Sequence, residues 1–522
     1  LVVPLIAIVL SFITRQVILS LATAVFVGAV ILNGGNVFHG FLRMCDQYIV
    51  GTVTDSWNVT LMLFILSVGG LIAVMARMGG TQAMALAMAK KSKNTKHALV
   101  VTWIMGIIIF FEDMANSLIV GPTMRPVTDE LRISREKLSY VIDSTAGPVT
   151  DMAFISSWVA YEIGMIGIAL TTAGLAVENT YGIFLETVPY RFYNIFAIAL
   201  VIIIILTQKD YGPMYAAEKR ARLSGNLVNE GSTPMMSKEL DAMNVKEGTP
   251  LRICNAVVPI VTFIVITLFA MYYTGGGFDN TFSIETIKNA FGDCDSASSI
   301  FYAVIIASVV MAVVQKIMTL REAIDVWMNG CKELLLTVTI LLFAWTSGSI
   351  MSELGTGAYI AELVGDTVPG VILPVIIFAV SCLVSFSTGT SYGTTAIMIP
   401  IAFPLAMGIN GGVLDSYAVL TIAAVTCGAI FGDHCSPISD TTIMSSMGSA
   451  ADLMDHVRTQ IPYAVTAAIV AAGCGFIPAA LGVPAWICLP IGIVVLYLVV
   501  RFLGKSTNEE DLKKEAAQEA AA

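Results

Sequence analysis

Charge is what this 522-residue chain has least of. Asp, Glu, Lys and Arg together make up 13% of it, against about a quarter of a soluble domain. That excludes an ordinary water-soluble globule, which needs a charged surface. Its 28 Lys and Arg fall in loops and tails and form no basic stripe, so a nucleic-acid partner is not expected. Nine cysteines contain no C-x-x-C pair, which excludes the common zinc and dithiol redox motifs and leaves them as small buried apolar residues. No cofactor is called for. What fills the chain instead is hydrophobic sequence, 56% of it. Several runs approach the roughly 20 residues a membrane-spanning helix needs, so the expected partner is the lipid bilayer.

The runs at Asn58–Met78, Val188–Leu206, Ile253–Tyr273, Ala297–Met318, Glu333–Met351, Ile461–Leu481 and Pro484–Leu503 read as spans. Four stretches do not. Ala98–Phe111 and Met114–Met124 flank Glu112-Asp113, and neither arm alone covers ~30 Å of hydrocarbon comfortably. Basic residues stand at both outer ends, so 98–125 reads as a re-entrant hairpin with FFEDMANS at its tip. A second hairpin, 369–408, has the polar tip Ser387–Ser391 (STGTS) and no basic residue at its ends. The segment 138–158 is interrupted at Gly147-Pro148. The segment 416–446 is interrupted at FGDHCSPISDTT, Phe431–Thr442, where Pro437 lacks an N–H and disfavours helix at the residue before it.

The two halves repeat this order. Gly147–Asp151 parallels Ser436–Asp440, Val188-Pro-Tyr parallels Ile461-Pro-Tyr, and the hairpins occupy equivalent places. With the second copy inverted, 25 of the 28 Lys and Arg fall on one side and only Arg43, Arg191 and Lys288 fall outside, as the positive-inside bias requires. The expected fold is an all-α polytopic membrane protein of two inverted-topology repeats, 1–207 and 253–503. Each repeat has a re-entrant hairpin and a broken transmembrane helix, with about 11 crossings plus two hairpins in all. A cytoplasmic linker, 208–252, joins them, and a cytoplasmic tail, 504–522, reads as a frayed helix. By the repeat match, Val159–Glu186 is expected to be an extracytoplasmic insertion.

Carboxylates at membrane depth are costly and mark function. The candidate cation- and proton-binding residues are Asp433, Asp440, Asp151, Glu112, Asp113, Asp143 and Asn116. The candidate lining residues are Ser387, Thr388, Thr390, Ser391, His434, Ser436, Ser439, Thr441, Thr145, Thr150 and Ser117. Helix breaks and hairpin tips free backbone carbonyls that, with carboxylates, suit a hard cation such as Na⁺. Six carboxylates with no Lys or Arg in the neighbouring apolar spans must be protonated, hydrated or cation-bound, so exchange of Na⁺ for H⁺ on a carboxylate is the expected chemistry. His39, His97 and His456 read as interfacial and inert. An intramembrane aspartyl protease needs Gly-x-Gly-Asp, and Ile430 stands where the first glycine before Asp433 belongs. The expected protein is not an enzyme.

Phe110–Asp129 (FFEDMANSLIVGPTMRPVTD), Arg135–Asp151 (REKLSYVIDSTAGPVTD) and Phe431–Ser446 (FGDHCSPISDTTIMSS) resemble the NhaC-type sodium/proton antiporters of the ion-transporter superfamily. The resemblance implies inverted repeats, a homodimer and a prokaryotic inner membrane. It also implies Na⁺ sites where each hairpin meets the broken helix of its own half, grouping Glu112–Ser117 with Asp143–Asp151 and Ser387–Ser391 with Asp433–Thr441. The family includes carriers of malate, lactate and amino acids. Na⁺- or H⁺-coupled transport of a small organic solute is therefore the alternative to Na⁺/H⁺ antiport.

Overall fold

The computed structural model describes the whole chain except residues 1, 15, 90–93, 155, 178, 235–250, 280, 282–285, 287–289, 291–293, 315–317, 357–358, 360–368 and 522. Arg15, Glu285, Lys288, Asp293 and part of the linker thus lie outside the described residues. The described chain is helical apart from one two-stranded ribbon. Six helices are long and apolar enough to cross a membrane, and up to nine if each bent pair is one span. They include Ser56–Arg77, Cys254–Thr274 and Ala485–Leu503, which fall where the apolar runs place them.

Among the helices of the two compact units are α1 (Ser56–Arg77), α2 (Thr95–Ile108), α3 (Asp113–Glu130), α4 (Arg135–Thr150), α5 (Ser157–Thr172) and α6 (Phe192–Thr207). Strand β1 (Lys209–Asp210) and helix α7 (Gly212–Ser224) follow, then α8 (Leu335–Glu353), α9 (Leu373–Thr388), α10 (Ser391–Ile409) and α11 (Ser416–Cys435). The chain continues through α12 (Asp440–Ser449), α13 (Leu453–Val470), α14 (Ala485–Leu503), β2 (Lys505–Ser506) and α15 (Glu509–Ala521). Short polar side chains begin these helices by accepting the first free amides. Asn94 caps α2, Ser134 α4, Ser156 α5, Thr390 α10 and Asp452 α13.

The first unit comprises residues 1–80, 154–190 and 245–429. In it α5 packs against α1, α8 and α10, and α9 pairs with α10. Gly389, at φ +68°, makes the turn between α9 and α10, a conformation that costs glycine little. Residues 159–186 are helical and packed into this unit rather than looped out. They form most of α5 and the short helix Thr180–Thr187, and α5 is buried because both of its faces meet apolar helices.

The second unit comprises residues 81–153, 191–244 and 430–522. Here α4 is the hub and packs against α2, α3, α6, α12 and α13. The expected break at Gly147-Pro148 does not occur. Pro148 removes one amide, yet the Asp151 amide still reaches the Gly147 carbonyl at 3.0 Å, so α4 continues to Thr150 before turning. The tail is not frayed either. Strand β2 pairs antiparallel with β1, and Glu515 on α15 accepts from Tyr215 and pairs with Lys219 at 3.6 Å on α7.

The same face of α7 grips the start of α4. Glu218 accepts from the Ser134 amide at 2.8 Å and its hydroxyl at 2.7 Å, and it pairs with Arg222 at 3.0 Å. Burial raises the Glu218 pKa, but Arg222, Lys137 and the Ser134 hydrogen bonds outweigh it, leaving the carboxyl below its ordinary 4.5. A carboxyl lowered by folding stabilises the fold above its unfolded pKa and loses that contribution as pH falls through the folded value. Melting temperature followed from pH 7 downward is expected to drop below about pH 4.5, and Glu218→Gln to flatten that drop while lowering the neutral-pH plateau.

Candidate functional site

In the second unit the first hairpin is tied to α4 by one amide. Asn116, fully buried, donates from Nδ2 to the carbonyls of Gly106 (2.7 Å) on α2, Ile109 (3.2 Å) at the tip and Thr145 (3.0 Å) on α4. Gly106 permits the approach, because a Cβ there would stand 2.0 Å from the Thr145 hydroxyl. Asn116 is thus a strut rather than a lining group on its donor side. Thr145 and Thr150 give their hydroxyl protons to carbonyls of their own helix.

Helix α12 packs on α3 and α4. Ser117 and Ser445 share a hydrogen bond of 3.0 Å, and the helices cross where Gly121 faces Gly448. A Cβ on Gly448 would lie 2.4 Å from the Ser117 carbonyl. Gly448→Leu is expected to cost about 1–3 kcal/mol through overpacking, read as a lower melting temperature together with lost transport. A wild-type melting temperature would mean the crossing is dispensable.

The break between α11 and α12 carries the densest oxygen cluster. Ser439 donates to Asp433 Oδ1 and lies 3.0 Å from the Thr441 hydroxyl, and Thr442 donates to the Asp433 carbonyl at 3.0 Å. Ser436 is turned to its own loop, accepting from the Ile438 amide. Asp440 opens α12 at an exposed position. Asp113 and Glu112 are buried at the hairpin tip.

Asp143, His434 and α13 form the adjoining network. Asp143 Oδ2 accepts from Gln460 Nε2 at 2.7 Å and contacts His456 Nε2 at 3.1 Å, whereas its Oδ1 is buried without a hydrogen-bond partner. His434 lies between Ser144 Oγ (2.9 Å) and the Tyr193 hydroxyl (2.7 Å). Asp143, Asp433, His434 and Thr441 line one tight crevice beside Gly147-Pro148. Asp151 stands apart in role. Its Oδ2 takes Arg191 Nη1 at 2.7 Å and Asn194 Nδ2 at 2.6 Å, and Arg191 is fully buried.

The sodium/proton exchange that these groups suggest has independent support. The family model described as the Na⁺/H⁺ antiporter family matches residues 152–477. The chain belongs to the Na⁺/H⁺ antiporter family. A relative of uncharacterised function from Haemophilus influenzae is 32% identical over 508 residues, covering 95% of this chain and 94% of its own. A shorter match, 44% identical over 86 residues (16% of this chain, 18% of the other), is to the Na⁺/H⁺ antiporter NhaC of Alkalihalophilus pseudofirmus. The fold is similar to that of the Alcanivorax borkumensis YdaH transporter, with a TM-score of 0.60 at 13% identity over 85% of this chain and 90% of that one. The protein is accordingly a multi-pass membrane transporter of the antiporter type, and its resemblance to the NhaC proteins holds at family level.

In this antiporter the polar segments fall in both units. Glu112–Ser117 does meet Asp143–Asp151, through Asn116, but the Asp433–Thr441 segment shares that unit as well. Ser387, Thr388, Thr390 and Ser391 belong to the first unit. Ser387 and Thr388 donate to Val384, Thr390 caps α10, and Tyr161 of α5 donates to the Tyr392 carbonyl beside them. No three His, Cys, Asp or Glu side chains converge as a metal-ligating group among the described residues.

Three functional-looking residues escaped the sequence. His456 is fully buried against Asp143, not interfacial. Its signal was the polar stripe His456, Gln460, Tyr463 on one face of α13, spaced as a helix requires. Arg191 and Lys137 overturn the expectation that no cation is buried. Lys137 pairs with Asp210 at 2.5 Å and lies 5.8 Å from the Tyr140 and Tyr463 rings. Arg191 had announced itself by breaking the charge bias, since a misplaced Arg must find a buried partner.

Proposed function

We propose that the protein exchanges Na⁺ for H⁺ by alternating access, with Asp433 as the carboxylate that holds either ion. The carrying observation is the clustering of Asp433, Ser439 and Thr441 at a helix break, with Asp433 and Thr441 in one crevice with Asp143 and His434. A bare cation gains oxygen ligands there, and a proton neutralises the same Asp433 carboxylate, so the two compete. Asp143 supports the reading. Its buried Oδ1 has no hydrogen-bond partner among the described residues, while His456 and Gln460 hold Oδ2. The two related repeats and about 11 crossings belong to this proposal, as do a prokaryotic inner membrane and a homodimer.

Reconstituted into acid-loaded vesicles containing a pH-sensitive dye, the protein is expected to release protons when NaCl is added outside, and not when KCl is added. Absence of a response to both Na⁺ and Li⁺ would overturn the assignment.

A further inference from the structure

A second cavity, in the first unit, shares no residue with the carboxylate cluster. The chain reaches it through residues 37–55, where an α-helical start gives way to a π-helical turn at Met44–Ile49. Such turns recur at functional sites, and this one brings Gln47 and Tyr48 to the cavity wall. Tyr48 is buried and donates to Glu353 Oε2 at the end of α8 at 3.0 Å. The Thr52 and Thr346 hydroxyls, 3.2 Å apart, join the same two segments. Asp55 then caps α1 by accepting from the Asn58 amide at 3.0 Å.

The opposite wall is aromatic. Trp57 and Trp345 lie with ring centroids 6.2 Å apart at 60°, and Trp345 donates to the Gly164 carbonyl at 3.3 Å. A Cβ at Gly167 would stand 2.7 Å from the Trp57 ring, so glycine is what lets the indole lie against α5. The cleft, open on one side, has a volume of about 530 Å³, within the range of small-molecule sites.

The lining holds two indoles, a phenol and two carboxylates, with no Lys, Arg or His. That selects by elimination. Anions are repelled by the exposed carboxylates of Asp55 and Glu353, and a neutral apolar solute gains nothing from them. A hydrated alkali ion gains nothing from aromatic faces. An organic ammonium gains from all of them, since its diffuse charge suits ring faces and carboxylates alike. We propose that this cavity is a binding site for a small organic cation.

Intrinsic tryptophan fluorescence tests this on the purified full chain in potassium phosphate, which avoids amine buffers. The probes are choline and 3,3-dimethylbutan-1-ol, which match in shape and differ in charge. Choline is expected to quench saturably and the alcohol not at all. Trp57→Phe is expected to remove most of the response. Glu353→Gln keeps an acceptor for Tyr48 and Asp55→Asn keeps the cap, so neither should shift the melting temperature, and each is expected to weaken choline binding about tenfold. The proposal is overturned by no saturable quenching up to about 10 mM choline, by equal quenching from the alcohol, or by unchanged affinity in both carboxylate variants.

Discussion

Asp433→Asn is expected to abolish Na⁺-driven proton release while leaving the melting temperature where it was. The two outcomes separate because the residue plays two parts. Its carbonyl accepts from Thr442 and its Oδ1 accepts from Ser439, and asparagine reproduces both acceptors at the same volume. What asparagine cannot reproduce is a carboxylate able to hold either Na⁺ or a proton. Losing both should reduce the rate at least about 100-fold, equivalent to some 2.7 kcal/mol of barrier. Ser439→Ala removes only a neutral hydroxyl and should raise the Na⁺ concentration for half-maximal response about tenfold, the worth of one hydrogen bond to a charged group. Vesicles carrying Asp433→Asn that still release protons at the wild-type rate would remove Asp433 from the exchange.

Arg191→Met carries the larger structural effect. Arg191 and Asp151 are 0% and 1% exposed and meet at 2.7 Å. Breaking a buried ion pair by deleting one partner costs about 3–5 kcal/mol, because the survivor is left as a buried charge. Asn194 remains to hold Asp151, but one amide does not neutralise a carboxylate. The variant is expected to lose expression and to melt far below wild type. The double change Arg191→Met with Asp151→Leu replaces the pair by apolar groups of comparable size and should recover most of the stability. Transport decides what Asp151 does. A stable double variant that still exchanges Na⁺ for H⁺ makes Asp151 a structural anchor, whereas a stable but inactive one returns it to the ion site.

Legibility in the sequence followed the kind of physics involved. Apolar runs announced their helices because a span must be long and uncharged, and the polar tips and the Pro437 break were visible as interruptions of those runs. Gly147-Pro148 misled because a single missing amide does not stop a helix whose next turn is held by the packing of α2, α3 and α12 around it. Which tip meets which break was also illegible. Motif order gives a chain sequence but not an arrangement in space, and the Gly121–Gly448 crossing that brings α12 to α3 depends on two glycines with no special neighbours. The buried cations were hidden for another reason. Lys137 follows a basic cluster and reads as loop-side, and only the Tyr463 hydroxyl and Asp210 reveal how it is buried.

The small β1–β2 ribbon has a consequence for assembly. Gln208 accepts from the Thr507 amide across 299 residues, and the neighbouring Asp210 holds Lys137 at the foot of α4. Contacts that distant in sequence form late. During synthesis β1 must wait for its partner strand until the segment after α14 has been made, although α7 already grips the foot of α4. A chain that stops before Lys505 therefore carries every site carboxylate and the grip of α7 on α4, but leaves β1 without its partner strand and α7 without α15.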